Sequence, residues 1–312
     1  MIDAAAVRGA AAALNGVAVR TPLRFVAELD AYLKLESLQP VGAFKLRGAF
    51  NAVHRLPDAA RRAGVITYSS GNHGQAVAYA ARHFGVRAVV TMPETAPAVK
   101  VEGVKRWGGE VVFAGRTSED RRVAAEDIAR REGLAVIPPF DHADVIAGQA
   151  TVGLEIAEDL PDVATVVVPV GGGGLISGVV SGLAAAGARA RVWGVEPAGA
   201  PKLTRSLAAG APIKLERSAS IADGLITLTV GQLPFDVLQT HRERLAGVVT
   251  VEDDSIREAV HFLRRTCGLT VEPSGAATTA ALRSGALGGG PGPARPLVLV
   301  VSGGNVDPGL ED

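Results

Sequence analysis

Four short segments carry residue types that suit one kind of chemistry. Gly42-Ala43-Phe44-Lys45-Leu46-Arg47-Gly48 sets a lysine among apolar neighbours. A lysine amine in a partly desolvated pocket has a lowered pKa and can form a Schiff base with an aldehyde. Taken alone, the segment suits an ordinary surface lysine as well. Ser69-Ser70-Gly71-Asn72-His73-Gly74-Gln75 falls where a strand should end and a helix begin. Amide groups and the helix dipole favour an anion there, such as a substrate carboxylate, although a simple Ser/Asn cap fits equally. Gly171, Gly172, Gly173 and Gly174 follow an apolar run and precede a helical one. Such glycines let backbone N–H groups close on a phosphate. No Gly-Lys-Ser/Thr follows, and the spacing is not that of a dinucleotide fingerprint. Ser302-Gly303-Gly304-Asn305 ends the last apolar run, at the strand end where open parallel sheets gather ligands.

The elements that must position these residues alternate between short β-branched runs and Ala-rich helical stretches. Strands are expected at 65–68, 87–91, 111–114, 165–169, 192–195 and 297–301, and helices at 75–83, 99–107 and 118–131. The run Leu297 to Val301 is wholly apolar, as the centre of a parallel sheet requires. The pattern predicts an α/β protein with two open, mostly parallel sheets and helices on both faces. Residues 64–141 read as a small substrate-side domain inserted into a large one made of 1–63 and 142–312, with 287–296 a Gly/Pro-rich surface loop.

The 312 residues are 47% hydrophobic and 21% charged, enough apolar material for a large core. Thirty-two basic residues balance 32 acidic ones, which argues against a nucleic-acid or membrane-surface partner. The single cysteine, Cys267, forms no internal disulfide and no multi-cysteine metal site. The first residues lack the charged-then-apolar pattern of a signal peptide, and no apolar run has membrane-spanning length. A cytoplasmic protein is expected, without a further regulatory domain after the last strand.

Together the motifs resemble the fold-type II pyridoxal-phosphate family, in its threonine/serine dehydratase and serine racemase branch. Ile146-Ala147-Gly148-Gln149, Gly194-Val195-Glu196-Pro197, Ala222-Asp223-Gly224 and Ser-Gly-Gly-Asn-Val-Asp from Ser302 fit the same family in the same order. The resemblance implies pyridoxal 5'-phosphate as cofactor, Lys45 as Schiff-base lysine and base, Phe44 against the pyridine ring, and Asn72 on the ring hydroxyl. It places Gly171 to Gly174 on the phosphate and Ser302 on the pyridine nitrogen. Ser69, Ser70, Asn72 and His73 would surround the substrate carboxylate, with Arg121 a further substrate contact. Ser70 stands where racemases keep a second acid/base. The implied reaction is loss of water from a small β-hydroxy amino acid such as L-threonine or L-serine, giving a 2-oxo acid and ammonia. The alternatives are a serine-type racemase with side elimination, or a dehydratase of hydroxyaspartate or bulkier substrates. A non-catalytic nucleotide-binding module would use the glycine loops but would not need Lys45. A homodimer is expected.

Departures from the family pattern matter. Ala43 stands where many relatives keep a serine, and Tyr68 and Thr227 stand where they vary with substrate. Relatives also bind a divalent cation through a Glu-Pro acid, a carbonyl four residues on and an acid two further. Glu196 and Ala200 match, but the third position is Lys202, so no metal is expected. Lys202 either pairs with Glu196 or points to solvent.

Overall fold

A computed structural model describes residues 2–69, 71–288 and 293–306. Its strands in chain order are β1 (Leu23–Val26), β2 (Ala31–Leu35), β3 (Val65–Thr67), β4 (Ala88–Met92), β5 (Glu110–Phe113), β6 (Ala135–Val136), β7 (Thr165–Pro169), β8 (Arg191–Pro197), β9 (Leu245–Val251) and β10 (Leu297–Val301). Its α-helices are α1 (Ala4–Leu14), α2 (Lys45–Arg55), α3 (Asp58–Ala63), α4 (Asn72–Phe84), α5 (Ala98–Arg106), α6 (Ser118–Glu132), α7 (Ala143–Asp159), α8 (Gly174–Ala185), α9 (Lys202–Ala209), α10 (Gln232–Thr240), α11 (Asp253–Cys267) and α12 (Pro273–Arg283).

Two sheets organise the chain. The larger runs β1-β2-β10-β7-β8-β9 and is parallel apart from β1 against β2. The smaller runs β5-β4-β3-β6, is parallel throughout, and draws every strand from residues 65–136. All five residues of β10 are buried, as its apolar run demands between β2 and β7. Helices cover both faces of the large sheet: one core cluster packs α11 and α12 against it, the other α7 and α8. Among the described residues no helix is long and apolar enough to cross a membrane.

The chain alternation was legible in the sequence, but α4 starts at Asn72 rather than at 75. Asn72 and His73 add nothing to an apolar stripe, because both side chains bond laterally to other segments.

Two contacts seat α2, the helix that Lys45 opens. Gly48 and Gly148 let α2 and α7 approach so closely that a Cβ on Gly48 would strike Val145 O and Gln149, and one on Gly148 would strike the backbone at Arg47. Gln149 Oε1 accepts from Gly48 N at 3.2 Å, which explains the Ile146–Gln149 motif as a docking surface. Below the helix lies a buried charge network. Arg47 is 1% exposed and donates to Glu36 at 2.7 and 2.8 Å and to Glu155 at 2.6 and 2.8 Å. Lys34 Nζ donates to Glu155 at 2.6 Å and Thr21 Oγ1 to Glu36 at 2.6 Å. Two cations and two carboxylates cancel, and their hydrogen bonds offset much of the desolvation cost.

Candidate active site

The first and fourth motifs are zipped together by their backbones. Phe44 N donates to Ser302 O at 3.0 Å, Gly304 N donates to Gly42 O at 2.9 Å, and Ala43 forms a bridge with Gly303. Asn305 Nδ2 adds a bond to Val41 O at 2.8 Å. The start of α2 is therefore held at the carboxyl end of β10, where the topology gathers ligands.

Lys45 is partly buried, with its Nζ donating to Pro139 O at 2.6 Å and lying 5.2 Å from the centre of the Phe44 ring. Desolvation lowers the amine to about pKa 8. Among the described residues no carboxylate acts on it to hold the proton. His73, 2% exposed, lies on the first turn of α4 with Nε2 3.0 Å from Ile137 O. A carbonyl only accepts, so Nε2 carries the ring proton and Nδ1 is left as a buried acceptor without a partner. Burial first, then the charge of Lys45, depress this imidazole to about pKa 3. It is neutral at working pH.

The second and third motifs open helices whose N-terminal N–H groups have no side-chain cap. Gly71 precedes α4 and Gly173, at φ 92°, precedes α8. Both ends present donors and a positive dipole to an anion. A Cβ on Gly172 would overlap the Phe140 ring, and one on Gly171 would lie 2.8 Å from Gly224 O, so the loop backbone is closed on by its neighbours. Ser302 is 3% exposed beyond β10, its hydroxyl only loosely bonded to Ser274 O at 3.4 Å. Asn72 Nδ2 donates to Glu272 Oε1 at 2.8 Å, and its Oδ1 accepts from Asn305 Nδ2 at 2.8 Å.

Lys45, Phe44, Asn72, His73, the glycine loop and Ser302 are thus joined by direct bonds or through the segment 137–141. Ser69 lies at the same strand end, its Oγ a long 3.5 Å from Gly71 N. Ser70 lies outside the described residues. Arg121 is tied in less directly: the single hydroxyl proton of Thr91 is shared between Arg121 O at 3.0 Å and Thr67 O at 3.3 Å, which sets the start of α6 against the carboxyl ends of β3 and β4. Its Nη2 donates to Ser118 Oγ at 2.7 Å, while its Nε is buried without a partner and burial lowers its pKa.

Three features escape a reading by motif. Segment 137–141 crosses from β6 to α7, binding His73 through Ile137 O and Lys45 through Pro139 O, packing Phe140 on the glycine loop, and bonding Leu233 N and Gln232 N through Asp141 at 2.9 and 3.1 Å. Lys100 on α5 pairs with Asp223 beside Gly224, bridging the two sheets' elements across the site. Glu272 is buried next to Gly303. In the sequence it reads only as the residue before a helix-starting proline.

The residues present fit pyridoxal phosphate. A desolvated amine suits the aldehyde, an uncapped helix start suits the phosphate, and a buried, loosely bonded hydroxyl suits the ring nitrogen. Residues 15–303 match the model of the pyridoxal-phosphate dependent enzymes. The chain belongs to that family. It is 36% identical to an L-threonine ammonia-lyase of Thermotoga maritima, over all of this chain and 78% of that one. It is 38% identical to an L-threo-3-hydroxyaspartate ammonia-lyase of a Pseudomonas species, over 96% of this chain and 93% of that one. The solved structure of maize serine racemase superposes with a TM-score of 0.92 at 36% identity, covering 98% of this chain and 94% of that one.

Proposed function

We propose that the protein is a pyridoxal-phosphate-dependent ammonia-lyase that removes water from a small β-hydroxy amino acid, threonine or serine. The released enamine takes up water and loses ammonia, so substrate becomes 2-oxo acid plus ammonia. The observation that supports this reading is Lys45, an amine near pKa 8 whose Nζ donates to Pro139 O, next to Phe140, which packs on the glycine loop before the uncapped start of α8. The relatives named above as ammonia-lyases support the reaction type.

Bound cofactor supplies an electron sink for the charge that builds at the substrate Cα. The chain's own residues do the rest. Lys45, as a free amine near pKa 8, would be a base matched to neutral pH and would take the Cα proton. The α4 N-terminus and Ser69, with Ser70, hold the substrate carboxylate, and neutral His73 adds no charge that would compete with Lys45 for a proton. Ser302 would offer the ring nitrogen a neutral hydroxyl rather than a carboxylate, a partner that does not force a proton onto it and so would favour prompt loss of the β-hydroxyl. Phe44 would pack against the ring. We read residues 64–141 as the substrate-side domain, and the active protein as a cytoplasmic homodimer.

One observation favours a variant of this reading. The buried, unpartnered Nε of Arg121 would suit a second carboxylate, as in threo-3-hydroxyaspartate. A panel of L-threonine, L-serine and L-threo-3-hydroxyaspartate, followed by 2-oxo acid release with chiral analysis of recovered serine, separates the cases. Prompt 2-oxo acid from threonine or serine supports the dehydratase. Serine inverted faster than it is consumed would replace it with the racemase, and no turnover with any of the three would sink it.

A further inference from the structure

Glu272 is a carboxyl that the reaction described above does not use, yet it is built into the site. It precedes α12, is 6% exposed, and its Oε1 accepts from Asn72 Nδ2 at 2.8 Å. A Cβ on Gly303 would collide with this carboxyl, so the chain keeps a glycine where β10 ends in order to admit it. The backbone N–H of Asn305 also acts on it.

The amide orientations around it follow from one carbonyl. Val41 O can only accept, so the Asn305 atom facing it is Nδ2. That same nitrogen faces Asn72, so the Asn72 atom opposite must be the acceptor Oδ1. Asn72 Nδ2 then faces Glu272, uses one N–H there and keeps one free. We propose that Glu272 is a positioning residue: it fixes the Asn72 amide so that the remaining N–H is presented to the ring oxygen of the cofactor. The inference rests on the cofactor reading above.

The surroundings add a pH sensitivity. Desolvation and, next, the charge of Asp223 raise Glu272 to about pKa 8, against the pull of Asn72, Lys100 and the Asn305 N–H. His73, next to Asn72 on α4, is neutral and adds no charge. Lys100 and Asp223 come from different lobes and pair with each other. At neutral pH Glu272 is largely protonated and does not repel a negative ring oxygen. Above pH 8 it ionises, and the added negative charge is felt at the ring.

The test uses purified holoenzyme and reads the cofactor itself. Glu272→Ala leaves Asn72 without its acceptor and should weaken pyridoxal-phosphate binding about tenfold, read as a dissociation constant. Glu272→Gln keeps a carbonyl oxygen for Asn72 but cannot ionise, so its affinity should stay within about threefold of the parent. The violet absorbance of the parent should shift through a step near pH 8. That step should vanish in Glu272→Gln and move to higher pH in Lys100→Met, which removes the cation favouring ionised Glu272. A step unchanged in Glu272→Gln, or unchanged affinity in Glu272→Ala, overturns the proposal. If Glu272→Ala does not fold, the Glu272→Gln and Lys100→Met titrations still decide it. A parent protein with no violet band, and with no cofactor fixed to Lys45 by borohydride, refutes the cofactor reading instead.

Discussion

Replacing Lys202 by methionine should cost the fold several kcal/mol, and the size follows from the bonds around its amine. Lys202 is fully buried, with Nζ 2.8 Å from Val170 O, 3.1 Å from Glu196 Oε1 and 3.1 Å from Ala200 O. Three acceptors match the three N–H donors of an ammonium, one more than a neutral amine could serve. Burial lowers this amine's pKa, and Glu196 acts in the opposite direction. Of the two sequence readings for Lys202, the side chain takes the salt bridge rather than solvent. The ammonium bonds one carboxylate and two carbonyls, an all-oxygen set of the kind a hard cation uses. Methionine fills the volume but leaves Glu196 as a buried carboxylate without a counter-charge. Breaking such a pair costs about 3–5 kcal/mol. Glu196 keeps Leu203 N at 2.7 Å, Thr204 N at 2.9 Å and Thr204 Oγ1 at 2.8 Å, so the lower end, about 3 kcal/mol, applies. For a chain of this size that is a fall of roughly 5 °C in Tm. Differential scanning calorimetry of parent, Lys202→Met and Glu196→Gln/Lys202→Met reads it, and the double variant should recover part of the loss. The same geometry predicts that EDTA, magnesium and manganese leave the parent's Tm and activity unchanged. A parent activated several-fold by either metal, or a Lys202→Met variant as stable as the parent, would refute the reasoning.

Other expectations are briefer. Lys45→Ala should abolish both turnover and borohydride-stable attachment of the cofactor; retention of label on another lysine, located by peptide mapping, would displace Lys45 from its role. Between pH 8 and 10.5 the unfolded chain holds a proton that folded Lys45 has released, so the contribution of this group to cofactor-free stability should rise with pH, by at most about 1.4 kcal/mol per unit, and cofactor capture should quicken as pH passes 8. His73 gives an acid limit by the same sign: folded it stays neutral down to about pH 3, so its contribution is lost progressively below pH 6.5, measurable as a loss that His73→Gln removes. Arg47→Leu strands Glu36 in the core and should cost about 3–5 kcal/mol in urea unfolding. Ser70→Ala should suppress any serine racemisation far more than 2-oxo acid release, because inversion needs proton transfer on both faces and elimination on one; equal loss of both with unchanged binding would deny Ser70 a dedicated role.

What the sequence disclosed and what it hid divide by the range of the interactions. Alternation of apolar strand and helix is local, so β3, β4, β5, β7 and β10 and the helices between 98 and 132 lie within a residue or two of where the pattern puts them. The motifs are local too, and their convergence was legible once each was set at a strand end. What stayed hidden depends on partners far away in the chain. Pro139 offers only a carbonyl, and a carbonyl carries no residue-type signal, yet it is the group that Lys45 Nζ bonds. Glu272 looks like any acid before a helix until Gly303 and Asn72 close over it. Arg47 sat inside a quoted motif without a role, because its partners Glu36 and Glu155 are fixed by how β2, α2 and α7 pack. The pattern has a physical reason. A buried polar group must find partners, and in this site the partners of Lys45, Asn72 and Arg47 come from segments tens to hundreds of residues distant. The same long-range bonds turn a set of separate loops into one site: Val41 O orients Asn305, Asn305 orients Asn72, and Asn72 meets Glu272, so a chain of single hydrogen bonds links the lysine turn to the start of α12. A substitution anywhere along that chain should therefore be felt at the cofactor before it is felt in the fold.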